Sequence, residues 1–553
     1  MPLQIMRGKE NAARATAFHI LFYTLCGGAG LLFAVIAASF ILPLAKVLSP
    51  LFTGGAFRPQ ALPPLAGTIA YTFAQSLAST ALALAIAVPA AWLLAKRHFP
   101  LKGLLASFSA VPLCIPALLV ALGYIATFGR AGHVNRALMA VFHLEEAPLS
   151  FLYSFWGIVI TQGFYNFPLI MMTTADAWRS LDSSQADSAL LLGASRWRVF
   201  RTITAYQLLP AIISGCIPVF LYCFFSFMIV LLFGTVGGTT LEVAIYHAGR
   251  SALDFRMVAF LALVETSCAA AALWGYSIIE GKAERMKGIS FAPRVHSQQK
   301  LSLPERCAAV PFFALIALFF MLPLFSIAIN SFTLRQRGSN VLSLTVWKQL
   351  LHRESFYRAL GNTLCCASAT ALLCTVTGLS YAVFLRLRHS ERTAGKGLLR
   401  TIPLLPMAVS SVVTGIGLTQ LVRRGTPLLL VIAQTSFSWP FAFRQLSAAL
   451  SRLPQDTIDS ARLLSAHAPD CVFRVIIPSC AKNILSSLGF CFAISAGDAT
   501  LPLVLALYKF DTLALYTYRL AGSYRFAEAC ASGIVLGALC MGIFALANRL
   551  KQD

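Results

Sequence analysis

The sequence predicts an all-α, polytopic membrane protein of about twelve transmembrane helices in two pseudo-symmetric six-helix halves. Three observations predict it. Of the 553 residues, 58% are hydrophobic and only 12% charged, whereas soluble domains carry about a quarter charged residues. Apolar runs of about 20 residues or more, enough to cross a hydrocarbon core of roughly 30 Å as helices, recur six times and then six times again. Finally, one stretch repeats within the chain at a single fixed offset, the signature of duplicated architecture.

The elements follow in order. Residues 1–17 are polar and basic, with Arg7, Lys9 and Arg14. An apolar run from about Phe18 to Leu48 follows; it exceeds a signal peptide's apolar core and is expected to be a retained first span. Further spans are expected near 66–95, 103–128, 151–175, 211–233 and 256–279. The second set is expected near 308–331, 360–385, 398–421, 427–447, 484–507 and 527–547. Helix is the required choice, because isolated strands cannot satisfy their backbone in lipid. The expected units are 1–280, a polar and basic linker at 281–306, and 307–553.

The balance of 44 Lys+Arg against 21 Asp+Glu gives a net charge of +23. On a soluble chain this would point to nucleic acid. Here the basic residues are spread over short loops, with no aromatic-interleaved patch, and no nucleic acid is expected as a partner. Assigning the amino terminus to the inside and alternating places most of the Lys and Arg on the inner side, so both termini are expected in the cytoplasm. The 14 cysteines fall mostly inside apolar runs, with no Cys-x-x-Cys, and read as small apolar residues.

The repeat centres on Asp187-Ser188-Ala189, followed by Gly193, and on Asp459-Ser460-Ala461, followed by Ser465. The two lie 272 residues apart. The same offset pairs Pro168 with Pro440, Phe220 with Phe492, Thr240-Leu241 with Thr512-Leu513, and Tyr246 with Tyr518, without a gap. Each segment, near 180–210 and 452–482, falls on the inner side between the fourth and fifth spans of its half. Each reads as a short amphipathic helix: Asp182 with Gln185 forms a capping-box pattern, and Pro454 suits a helix start. Gly193 can take positive φ and end the first helix. Such a helix has little to pack on in its own bundle and suits a groove on a cytoplasmic partner.

This pattern resembles the EAA loop of the inner-membrane permease subunits of binding-protein-dependent ABC importers, with Asp for Glu and Ser for the first Ala. The fused form, with two units in one chain, is similar to the thiamine and ferric-iron importers. Gly237-Gly238-Thr239-Thr240-Leu241-Glu242 and Ala496-Gly497-Asp498-Ala499-Thr500 resemble further elements of those chains. The resemblance implies a bacterial inner-membrane transport subunit that is not an enzyme and needs no cofactor. Its implied partners are cytoplasmic ATPase subunits, two copies gripping the two loops, and an extracytoplasmic substrate-binding protein. Asp187, Ser188, Ala189 and Gly193, with Asp459, Ser460, Ala461 and Ser465, would be the coupling residues. The implied cargo is thiamine or its phosphates, with ferric iron as the alternative. Ser465 replaces the usual Gly, so the second loop is expected to turn differently or couple more weakly.

No Gly-x-x-x-x-Gly-Lys-Ser/Thr loop occurs, so energy must come from a partner or an ion gradient. No catalytic or metal-ligating constellation is expected. A gradient-driven secondary transporter is the rival reading; it too commonly has two repeats and needs ionisable residues near the midplane. The candidates are Glu265 in the sixth span, Asp498 near the eleventh and Asp176 at the inner end of the fourth. Gly497 and Thr500 make the surroundings of Asp498 small and polar, a candidate lining for the substrate path. Glu242, the other path candidate, is expected in an outer segment, facing a binding protein or capping a helix.

Overall fold

The computed structural model describes residues 30–52, 62–100, 102–107, 115–181, 184–234, 238–287, 299–336, 339–387, 402–422, 424–453 and 471–552, together with 456–457, 460 and 463. The first half is built from α1 (Gly30–Leu51), α2 (Leu62–Lys96), α3 (Ala117–Phe128), α4 (Phe155–Ser180) and the short α5 (Ser184–Leu191). These are followed by α6 (Arg196–Phe224), α7 (Met228–Phe233), α8 (Leu241–Arg250) and α9 (Phe255–Lys287). The second half repeats the series. It comprises α10 (Leu303–Ser331), α11 (Glu354–Leu387), α12 (Ser411–Leu421), α13 (Pro427–Ser451), α14 (Cys471–Gly497), α15 (Thr500–Leu505), α16 (Leu513–Gly522) and α17 (Phe526–Gln552).

Among the described residues, nine helices are long and apolar enough to cross a bilayer. Helices α4 and α13, of 26 and 25 residues, and the shorter α12 complete twelve segments in the expected order. Both α4 and α13 carry an internal proline, Pro168 and Pro440, and polar side chains that lower their hydropathy. Large apolar side chains such as Trp274 and Phe325 stay exposed on the spans, as expected where lipid replaces water.

Three expected boundaries are corrected. The runs 211–233 and 484–507 are not single spans: α6 ends at Phe224 and α14 at Gly497. A short helix and a second, amphipathic one follow in each half, α7–α8 and α15–α16. The break at Asp498 has a local cause. Its extended backbone and its Oδ1, which accepts the N–H groups of Thr500 at 2.9 Å and Leu501 at 3.4 Å, start a new helix. The third-span run near 103–128 is not one described helix: Lys102–Ser107 is helical on its own, and α3 is entered through Pro116. At 12 residues, α3 is about 18 Å long, short of a full crossing; a further helix, His133–Phe142, extends it.

The first span of each half lies against the other half. In α1, Ser39 shares a hydrogen bond with Ser436, and Phe33 packs on Tyr381 and Trp439. In α10, Ser326 accepts from Thr127 Oγ1 at 2.8 Å, and Phe319 stacks on Phe164 at 4.9 Å. Two glycines permit the crossings. A Cβ on Gly123 would fall 2.7 Å from the carbonyl oxygen of Pro323, and one on Gly417 would strike the carbonyl of Pro43. Small residues at helix crossings are how membrane bundles bring backbones together. At one end of the bundle, Arg97 pairs with Glu305 and Arg97–His98 runs parallel to Gln299–Lys300. These contacts fasten the start of α10 to the end of α2.

Candidate functional site

The first copy of the repeated segment is described in full from Ser184. Helix α5 closes with a Schellman arrangement: Ala194 N–H donates to Ala189 O at 3.1 Å and Gly193 N–H to Leu190 O at 3.0 Å. Gly193 sits at φ +86°, the left-handed region that a side chain resists, as its position in the sequence predicts. Ser195 then caps the start of α6, its Oγ accepting from Arg198 N–H at 3.3 Å. Phe200 is stacked between Trp178 and Trp197, and Gln207 Nε2 donates to Gln185 Oε1 at 2.8 Å. The segment is thereby held on the end of the bundle.

What it presents outward is apolar and acidic. Asp187 and Ser188 are exposed and Ala189 is half-buried; Leu191 and Leu192 are 89% and 88% exposed. In the second copy, Ser460 is exposed and Leu463, the repeat mate of Leu191, is 88% exposed. Two bare leucines at equivalent places were not singled out from the sequence; the 272-residue offset was the signal that could have found them. Asp459, Ala461 and Ser465 lie outside the described residues, as do Asp182 and Pro454. Both copies are followed by a π-helical turn, Phe200–Thr204 and Cys471–Ile476, a feature frequent near functional sites.

Between the halves lie two adjoining cavities of about 250 and 290 Å³. They share Tyr222, Phe441, Ile494 and Asp498 as a common wall. Asp498, on that wall, is half-buried, its Oδ2 accepting from Gln434 Nε2 at 3.2 Å, while Ser495 Oγ donates to Gln434 Oε1 at 2.7 Å. One wall of the first cavity is the face of α13 that carries Gln434, Phe437, Ser438, Phe441 and Arg444, and α6 contributes another. Arg444 was overlooked in the sequence, although a charge inside the apolar run 427–447 is a functional signal in itself. It donates to the Tyr276 hydroxyl and lies over that ring, 5.1 Å from its centre.

Glu242 stands in the first turn of α8, a helix-capping place, but is not on an open surface. It is 1% exposed, buried in α8, and lines neither cavity. The reason is the fold of its segment: the hairpin of α7 and α8 tucks back into the bundle. There Thr72 Oγ1 accepts the Leu241 N–H at 2.9 Å. Glu265, on α9, is fully buried as well, and the carboxyl oxygens of both glutamates have no hydrogen-bond partner among the described residues. Asp176 is an exposed partner of Arg179 at 3.1 Å.

Comparison with known proteins adds the following. The thiamine transport system permease protein ThiP of Brucella abortus (strain 2308) is 26% identical over 495 residues, covering 87% of this chain and 86% of its own. The protein of the same name from Escherichia coli (strain K12) is 23% identical over 498 residues, 87% and 88% of the two chains. A solved bacterial ABC transporter chain involved in the import of the acidic polysaccharide alginate aligns at 18% identity and a TM-score of 0.36, over 45% of this chain and 94% of that one. The family model described as binding-protein-dependent transport system inner membrane component matches residues 87–283 and 389–552, both halves of the chain. A duplicated helical bundle with a cavity between its halves, matched in both by that model, belongs to the family of binding-protein-dependent transport system inner membrane components.

Proposed function

We propose that this chain is the fused permease of an ATP-driven importer that takes up thiamine or its phosphates. The observation that carries the cargo is the similarity to thiamine permeases along nearly the full length of both chains. A cavity with aromatic walls and one carboxylate, Asp498, is compatible with an organic cation. The units are 1–280 and 307–553, joined by 281–306, with both termini in the cytoplasm.

In this reading an extracytoplasmic binding protein delivers cargo to the cavity end remote from α5. Two ATPase subunits grip the two coupling segments through Asp187, Ser188 and Ala189 in one copy and Asp459, Ser460 and Ala461 in the other. Leu191 and Leu463 seat in a groove on each subunit, and Gly193 and Ser465 set the turn behind them. Closure of the ATPase pair draws the segments together and reorients the halves, which the cavity follows.

The test is reconstitution. Permease, ATPase and binding protein in liposomes should take up labelled thiamine only with ATP, and unlabelled ferric citrate in excess should not compete. Uptake driven by an ion gradient without ATP would overturn the importer reading; competition by ferric iron would overturn the cargo.

A further inference from the structure

We propose that the inter-half cavity is itself a cargo site, built for a flat cationic ring that carries an anionic tail. The inference rests on the transport reading above and adds what the permease wall recognises.

Helix α13 arranges the wall. Gln434, Phe437, Phe441 and Arg444 recur at helical spacing on one face, so the ladder runs about 15 Å along the helix axis from first to last. Asp498 is fixed at the Gln434 rung, while Arg444 stands at the rung nearest the coupling end. The anion and the cation thus occupy opposite ends of one cavity, with Phe437 and Phe441 at the rungs between them and Tyr222 on the facing helix. Aromatic faces attract a cationic ring, and a guanidinium suits phosphate.

The charges are not a by-product of the duplicated fold. At the 272-residue offset, Asp498 corresponds to Ser226 and Arg444 to Met172. Capping α15 does not require a carboxylate either, because α7 forms at the equivalent place with no side-chain cap. Charges within a bilayer are costly wherever a neutral residue would serve; retaining two, at the two ends of one cavity and in one half only, fits a ligand with charge at both ends.

Calorimetric titration of the purified permease in nanodiscs, without ATPase or binding protein, tests this with thiamine and thiamine monophosphate as probes. Both should bind, the phosphate ester more tightly. Asp498→Asn should weaken both by about tenfold or more, the scale of a lost charge-assisted contact. Arg444→Met, the residue of the mirror position, should weaken the ester about tenfold and leave thiamine within about twofold. Phe441→Ala, which removes no charge, should weaken both, and tests the site independently if the Asp498 variant fails to fold. Binding of neither probe, or unchanged affinity in the charge variants, would overturn the site. If liposomes holding the complete importer still take up thiamine when the isolated permease binds nothing, the cavity assignment falls and the transport reading stands. If the complete importer takes up neither probe, the transport reading falls.

Discussion

Thr72 and Thr363 perform the same task in the two halves. Thr72 Oγ1 accepts the backbone N–H of Leu241 at 2.9 Å, and Thr363 Oγ1 accepts that of Leu513 at 2.7 Å. Each joins the second span of its half to the first turn of the amphipathic helix in the hairpin. That N–H has no partner within its own helix. Replacing either threonine by valine should therefore cost about 1 kcal/mol, read as a drop of a few degrees in the thermal midpoint of the solubilised protein. Serine at the same positions should restore it. The two effects should add, since the sites share no partner.

Leu191 and Leu463 are expected to be docking contacts. Leu191→Ser should leave the thermal midpoint unchanged, because the side chain touches solvent, yet weaken co-purification of the ATPase. Leu463→Ser should do the same, and the double variant should abolish copurification. Unchanged capture by the double variant would remove these residues from the interface.

Gly193 holds φ +86° with open space around it, so the penalty of substitution there is conformational alone. Gly193→Ala should lower coupled ATP hydrolysis and raise the energy of the turn by about 1 kcal/mol. Gly193→Asn, which tolerates the left-handed region better, should recover part of the activity. Equal activity in both variants would show that the turn is dispensable.

Glu242 and Glu265 are buried near one another, 1% and 0% exposed, and their carboxyl oxygens have no hydrogen-bond partner among the described residues. Two like charges there would be costly without further partners. Glu265→Gln, which keeps the shape and removes one acid, should leave stability unchanged or raise it, whereas Glu265→Ala opens a void and should lower it. Thermal midpoints of the two variants, compared with wild type, decide the matter.

The twelve-segment order was legible because membrane spans write themselves as long apolar runs, and the duplication because Asp187 and Asp459 open the same pattern. Gly193 was legible too, since a left-handed helix end leaves few residue choices. The hairpins were not. Residues Met228–Phe233 and Thr500–Leu505 are as apolar as the spans they follow, and hydropathy cannot tell a turn from a continuation. The burial of Glu242 was hidden for the same reason, depending on a chain reversal that leaves no mark in composition. Arg444 could have been found: it is a charged residue in register with Gln434 and Phe437 on a helix otherwise free of charge until its end.

The reciprocal placement of α1 and α10 ties the two halves into one folding unit. If the opening helix of each unit completes the other unit's body, a lone six-helix unit lacks one wall and leaves the grooves at Gly123 and Gly417 empty. Neither half then closes its own bundle, and each depends on the other for the helix that fills its groove. A single chain that carries both halves fixes their ratio at one to one and lets them differ, as they do where Asp498 and Arg444 stand opposite Ser226 and Met172.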